Sequence, residues 1–285
     1  GALNVIHGTG PGAGAPLVAH PGVQGISFTG GTATGERVAA AAASTFKKLS
    51  LELGGKNATI VFADADLEAA VAGAARAGFT NTGQVCLCGS RILVEASIHD
   101  AFVSALAESV AAMPLGDPRD PSTQLGALIS EAHRDKVEGY IALAREEGGS
   151  VVVGGGRPRL SGALAHGAFV QPTVVTGLAP DSRAATEEIF GPVVTIHPFE
   201  TEAEAIAIAN GVRYGLSASV WTTHLARAHR VSAALEVGMV WVNTWLKRDL
   251  RVPFGGTKDS GVGREGGAHS LSFYTEDKNV CIQLS

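Results

Sequence analysis

Two apolar rhythms alternate along the chain. Short apolar runs bounded by glycine or polar residues recur at 25–28, 59–62, 91–95, 151–153, 193–199, 218–222 and 239–243, and each predicts a buried strand. Residues 47–53 alternate polar and apolar as a half-buried strand does. A short apolar piece at 5–6 predicts one more strand, running into a glycine turn at 8–12. Between these runs the apolar spacing becomes helical over 13–20, 34–44, 66–78, 98–113, 131–147, 202–210 and 224–235, with Asp66 as a helix cap. Loops are expected at 114–121, 154–167 and 253–267, where Gly, Pro and Asp cluster. The tail 273–284 alternates again, which predicts an edge strand that needs another element or subunit as partner. Strand–helix alternation at this spacing implies βαβ units around a parallel sheet.

Composition narrows the class. With 45% hydrophobic and 17% charged residues, the chain reads as globular. No apolar run reaches the ~18–20 residues of a membrane-spanning helix, so no membrane partner is expected. The 22 basic and 27 acidic side chains leave a net charge of −5, which argues against nucleic-acid binding. Three cysteines, Cys86, Cys88 and Cys281, are too few for a disulfide framework, so a cytoplasmic home is expected. No metal site is expected.

Five segments could carry chemistry. In 81–90, Cys86 sits in a polar loop flanked by Gly83 and Gly89, where backbone can approach a ligand and amide N–H groups can meet an oxyanion. A buried cysteine used as a small hydrophobe explains the same residue. In 51–56, Glu52 ends an apolar strand just before Gly54 and Gly55, a position suited to a base with a raised pKa. Taken alone, a structural ion pair with Lys47 or Lys56 is the plainer explanation. The turns at 8–14 and 28–32 each join a strand to a helix N-terminus, an anion-binding arrangement, although neither matches the G-x-G-x-x-G fingerprint. Glu187, Glu188 and Phe190 stand before a Gly191-Pro192 stop and could hold a ribose and press a ring, or simply end a helical turn. Finally, 245–251 places Arg248 near Trp245, and an arginine fork suits a carboxylate, while a solvated charge cluster is the plainer explanation.

The order of these segments is more specific than any one of them. Phe28-Thr29-Gly30, Leu51-Glu52-Leu53-Gly54-Gly55-Lys56, Gly83-Gln84-x-Cys86, Glu187-Glu188-Ile189-Phe190-Gly191-Pro192 and Pro253-Phe254-Gly255-Gly256-x-Lys258-x-Ser260-Gly261 occur in one sequence. In this the chain resembles the C-terminal portion of the NAD(P)-dependent aldehyde dehydrogenase superfamily, from Gly1 to Ser285. The resemblance implies an α/β fold: part of a Rossmann-like dinucleotide-binding domain (1–54), an α/β catalytic domain (55–253), and a C-terminal segment (254–285) with an oligomerisation strand. It implies an oxidoreductase that turns an aldehyde into an acid. Cys86 would be the nucleophile, forming a thiohemiacetal and then a thioester, with its own backbone N–H as an oxyanion donor. Glu52 would be the base that activates water. NAD is the expected cofactor, and NADP fits the motifs as well. Thr29, Gly30 and Gly31 would contact its phosphates, Gly10 and Gly14 match cofactor-binding glycines at a neighbouring helix, Leu53 and Gly54 would line its nicotinamide, and Glu188 would hold a ribose with Phe190 beside it. Gly31 stands where the family often has Ser, which removes a hydroxyl from the phosphate turn.

The strings Lys47–Asn57, Cys86-Leu87-Cys88 and Arg248–Gly256 are most similar to the 2-aminomuconic and 2-hydroxymuconic semialdehyde dehydrogenases. Those enzymes oxidise semialdehydes that carry a carboxylate. The similarity implies Arg248 as a carboxylate clamp, with Val85, Leu87 and Trp245 shaping an apolar substrate pocket, and Cys88 as a structural thiol. A betaine-type or generic aldehyde substrate is the alternative. A homodimer or homotetramer joined by the C-terminal strand is expected. The start at Gly1, with neither Met nor a leader pattern, reads as a cut in a longer two-domain enzyme. Upstream would lie an Asn that completes the oxyanion hole, a Lys for the adenosine ribose, the NAD/NADP selector and a second substrate Arg. Two rivals follow: an inactive remnant that at most binds partners, and a cysteine hydrolase, for which the Cys86 loop offers no nearby His.

Overall fold

The computed structural model describes residues 1–285 and divides into two compact units, 1–54 with 248–285 and 55–247. In the first unit, strands β1 (Gly25–Thr29) and β2 (Lys48–Glu52) run parallel, with Ser27 opposite Ser50 and Thr29 opposite Glu52. Side chains alternate across a strand, so this register sorts the sheet into two faces. Ile26, Leu51 and Leu53 fall on the apolar face, where helix α2 (Thr32–Ala43) packs with Val38 and Ala42. Ser27, Ser50 and Glu52 share the polar face by the same alternation. A short helix α1 (Ala15–Ala19) precedes β1.

In the second unit seven strands form one sheet. They are β3 (Ala58–Val61), β4 (Arg91–Glu95), β5 (Ser150–Val153), β6 (Thr173–Thr176), β7 (Val193–Phe199), β8 (Ser217–Trp221) and β9 (Met239–Val242), in the order β9-β8-β3-β4-β7-β6-β5. All pairs are parallel except β5–β6, which is antiparallel with an irregularity between Val151 and Val153. β3 is buried on both faces, as a central parallel strand should be. Val61 points into a cluster with Phe79, Phe102 and Leu106 from helices α3 (Leu67–Phe79) and α4 (His99–Ala111). Ile60 points the other way, toward Ala205 and Val231 of α7 (Glu202–Asn210) and α8 (Leu225–Ala234). Helix α5 (Glu131–Glu146) covers the β5–β7 end through Val137 and Ile141. The Asp66 cap is made, its carboxylate accepting from Ala69 N–H at 3.0 Å. α6 is a single turn, Arg183–Thr186.

The two ends of the chain differ from the sequence expectation. Residues 5–6 form no strand and are exposed, because no neighbouring strand offers a ladder. The tail is not a strand either. Gly267–Tyr274 forms helix α9, which takes in Phe273, and 275–285 has no ladder partner in this chain. Lys48 holds the junction, donating to the carbonyls of Phe273 and Thr275 and pairing with Glu276 at 2.6 Å. Val280, Ile282 and Leu284 beyond it are exposed. One further strand, β10 (Gly261–Val262), runs antiparallel to β2 inside the expected loop, with Gly261 opposite Glu52. β6 was not evident in the sequence, because its four residues follow a Gly- and Pro-rich stretch without a turn to mark them.

Candidate active site

Three adjacent parallel strands gather one set of residues. β3, β4 and β7 lie side by side, and the segments leading into their amino ends are 55–57, 84–90 and 187–192. Widely separated parts of the sequence are therefore brought to one end of the sheet in the second unit.

The cysteine loop leaves α3 through a left-handed kink. Asn81, Thr82 and Gly83 all have positive φ, at 52°, 55° and 70°. Gly83 is required there, since a Cβ on it would fall 2.0 Å from the Gly191 carbonyl oxygen. Gln84 then spans outward, its side-chain oxygen accepting from Ile129 N–H at 3.1 Å. A turn from Val85 to Cys88 closes with Cys88 N–H donating to Val85 C=O at 3.0 Å. This draws the Val85 carbonyl inward, and the planar trans peptide turns the Cys86 N–H the opposite way. The next three carbonyls are held by side chains. Asn57 Nδ2 donates to the carbonyls of Cys86 (2.8 Å) and Cys88 (2.9 Å), and Trp245 Nε1 donates to that of Leu87 (2.9 Å). Gly55 lies against this loop so closely that a Cβ there would come within 2.7 Å of the Cys86 oxygen. Cys86 is half-buried, whereas Cys88 is buried, and burial pushes its thiol up to about 12. The pair thus separates into a half-buried cysteine and a buried one whose thiol is held protonated.

The acidic segment is fixed beside the same strand ends. Glu188 Oε1 accepts from Gly55 N–H at 3.0 Å. Burial raises its pKa, while that hydrogen bond and the charges of Lys136 and Lys56 oppose the rise. α5 holds the segment along one face: His133 Nε2 lies 2.6 Å from the Phe190 carbonyl, Lys136 donates to that of Glu188, and Tyr140 donates to the Glu187 carboxylate. Lys56 is fully buried, donates to the Ala184 carbonyl at 2.9 Å, and is pushed down to about 7 by burial and then by the nearby Arg91 charge. Phe190 is half-buried at φ 61°.

In the first unit, Glu52 occupies the carboxyl end of β2. It is 5% exposed, and its Oε1 has no hydrogen-bond partner. Lys47 donates instead to the His20 carbonyl. Burial and then the Glu265 carboxylate raise the Glu52 pKa to about 7, with Arg264 and Arg248 opposing. Around it the backbone is tied down: Glu52 C=O accepts from Gly30 N–H (3.0 Å), Leu53 N–H donates to Ser260 C=O (2.9 Å), and Ser260 Oγ donates to Gly54 C=O (2.6 Å).

Thr29, Gly30 and Gly31 form the turn between β1 and α2. Gly31 is the N-cap and supplies no side chain to the first helical N–H groups, and a Cβ on it would meet open space. Gly10 and Gly14 bound a short exposed turn at residues 10–14. Arg248 is exposed, with its guanidinium 4.3 Å from the centre of the Phe254 ring.

The residues expected at a substrate pocket divide. Val85 is half-buried and Arg248 exposed, while Leu87 and Trp245 are 2% and 3% exposed and meet each other through the indole N–H. Leu53 is buried against α2. Sequence reasoning gave no role to Asn57, His133 or Lys136. Asn57 could be noticed only as part of its string, because its partners lie far away in sequence.

Parallel strands wrapped on both faces by helices, with glycine turns at the strand ends, define a Rossmann-like α/β protein. The aldehyde dehydrogenase family profile matches residues 1–280, and the chain belongs to that family. It is 53% identical to a 2-hydroxymuconic semialdehyde dehydrogenase of Pseudomonas putida, covering 100% of this chain and 59% of that protein. It is 51% identical to a 2-aminomuconic 6-semialdehyde dehydrogenase of a Pseudomonas species, covering 100% of this chain and 58% of that protein. Among solved structures, betaine aldehyde dehydrogenase from Staphylococcus aureus, in complex with NAD+, matches with a TM-score of 0.92 at 44% identity over 94% of this chain and 53% of that one. The chain thus spans less than two thirds of the length of these relatives. No helix is long and apolar enough to cross a membrane.

Proposed function

We propose that this chain carries the nucleophile and the base of an NAD-dependent aldehyde oxidation, with NADP as the alternative acceptor. The observation that carries this reading is Glu52: a buried carboxyl with a bare oxygen, raised to about 7, at the carboxyl end of a parallel strand. Cys86 attacks the aldehyde carbon through its thiolate, and its backbone N–H meets the developing oxyanion. The resulting thiohemiacetal loses a hydride and becomes a thioester on Cys86. Glu52 takes a proton from water, which attacks the thioester carbon and releases the acid and the thiolate. Half-ionised near neutral pH, Glu52 can both accept that proton and release it.

The residues present suit a dinucleotide. The uncapped N-terminus of α2, with open space at Gly31, fits a phosphate at Thr29-Gly30-Gly31. Gly10 and Gly14 would lie along it, Leu53 and Gly54 beside the nicotinamide, and Glu188 at a ribose with Phe190 next to it. When bound, the nicotinamide supplies the hydride acceptor. The substrate reading is a carboxylated semialdehyde such as 2-hydroxymuconic or 2-aminomuconic semialdehyde, supported by the relatives at 53% and 51% identity. Arg248 would grip the distal carboxylate, with Val85 toward the substrate and Leu87 and Trp245 supporting the loop from behind. The exposed apolar tail at Val280, Ile282 and Leu284 supports assembly into a homodimer or homotetramer through that segment. The sparse cysteines support a cytoplasmic setting. The test is NADH formation by the protein with NAD and a carboxylated semialdehyde. Turnover that is absent in the wild type, or that survives in Cys86→Ala, removes the reading.

A further inference from the structure

Asn57 is 4% exposed and stands where three segments meet, just before β3. Its Nδ2 donates to the carbonyls of Cys86 at 2.8 Å and Cys88 at 2.9 Å, and its Oδ1 accepts from the N–H of Ser217, the first residue of β8, at 3.0 Å. Its own carbonyl accepts from Arg91 N–H at the start of β4. Both amide hydrogens and the side-chain oxygen are therefore used, and the orientation of the amide is fixed by the Ser217 bond, since a donor must face the oxygen. A side chain that only filled space between strand ends would not need both hydrogens on one loop.

We propose that Asn57 is a positioning residue for Cys86, its carboxamide holding the Cys86 and Cys88 carbonyls toward the strand ends. This rests on Cys86 being the nucleophile. The physical point concerns the direction of two peptide dipoles. With the Cys86 carbonyl bound to Asn57, its oxygen is turned into the strand ends, and the Leu87 N–H of the same planar peptide is turned the other way. Releasing that carbonyl lets its negative end swing toward the sulfur, which disfavours the thiolate and slows its reactions. Trp245 cannot compensate, because it holds the Leu87 carbonyl and not its two neighbours. Asn57→Asp keeps the shape but sets carboxylate oxygens against two carbonyls. Asn57→Ala removes the contact altogether.

The test measures alkylation of Cys86 by iodoacetamide across pH in the full chain, read by peptide mass spectrometry, together with amide hydrogen exchange at residues 86–90. Ser219→Ala serves as comparator, since it removes a buried hydrogen bond of 3.2 Å to Thr59 in the same sheet. Both Asn57 variants are expected to alkylate roughly tenfold or more slowly at neutral pH, with the midpoint moved upward and faster exchange at 86–90. Ser219→Ala should stay within about twofold of the wild type. An unchanged rate and midpoint in folded Asn57 variants would overturn the proposal, and so would an equal loss in Ser219→Ala. Failure of both Asn57 variants to fold would make Asn57 a fold residue and overturn it too. If aldehyde oxidation survives in Cys86→Ala while the Asn57 variants alkylate slowly, the nucleophile reading fails and the clamp stands.

Discussion

Glu52 and Glu188 are both carboxyls whose burial raises their pKa, and they are treated in opposite ways by their surroundings. Glu52 sits at the carboxyl end of β2 with Oε1 bare and a second carboxylate, Glu265, nearby. Glu188 lies in the segment before the amino end of β7, with one oxygen accepting from Gly55 N–H and two lysine charges opposing the rise. An unsatisfied buried carboxyl is poised to exchange protons, because its charged form lacks stabilisation. A hydrogen-bonded one is an anchor whose geometry is set. On the proposed function, the contrast would give proton transfer to Glu52 and holding to Glu188.

The sharpest way to break this contrast begins with the proposed nucleophile. Cys86→Ala is expected to lower aldehyde-dependent NADH formation roughly 10³-fold or more, while Cys88→Ala, whose thiol is buried and held up near 12, keeps most of it. Equal losses would erase the distinction between the two cysteines. Next, Glu52→Gln should lower steady-state turnover by roughly 10²–10⁴-fold. The first turnover of NADH should remain, because the base acts after the hydride has left. Wild-type turnover should rise with pH through about 7 as Glu52 ionises. The sign for stability is the reverse. A carboxyl whose folded pKa is raised from 4.5 to about 7 stabilises the fold below pH 4.5, and that contribution is lost as pH rises through 7. Glu52→Gln is therefore expected to be more stable than wild type at pH 8, by up to about 3 kcal/mol, and to show little difference in acid. Thermal unfolding at the two pH values checks this.

Smaller effects belong to the holding residues. Arg248→Ala should raise KM for a carboxylated semialdehyde by about tenfold or more and leave a plain aliphatic aldehyde within about twofold. Equal changes on both substrates would remove the carboxylate clamp. Glu188→Gln should raise KM for NAD by about tenfold without slowing alkylation of Cys86. Gly83→Ala, which must take φ 70° against the Gly191 carbonyl, should cost about 1–3 kcal/mol of stability, measurable by denaturant unfolding.

Much of the second unit was legible in sequence because its central strands and flanking helices carry clear periodicities, as at β3, β4 and α5. β6 escaped because four residues beside Gly and Pro leave no rhythm to read. The tail depends on what lies beside it. Alternation from 273 onward marks a strand only if a ladder partner exists, and within this chain Phe273 joins a helix instead. At the candidate site, residue types at short spacing were visible, and the contacts between them were not. Asn57 meets Ser217 across 160 positions, and Gly55 meets Glu188 across 133. Trp245 illustrates the limit: the sequence places it near a pocket, while its buried N–H is spent on the Leu87 carbonyl.

The central claim is that Cys86 carries the acyl group and Glu52 releases it. The most direct measurement is the mass of the Cys86 peptide from Glu52→Gln after brief reaction with NAD and the aldehyde. The account predicts an adduct on Cys86 equal to the aldehyde less two hydrogens, the signature of a thioester. Turnover at the wild-type rate with no such adduct, or an adduct on another residue, would contradict it.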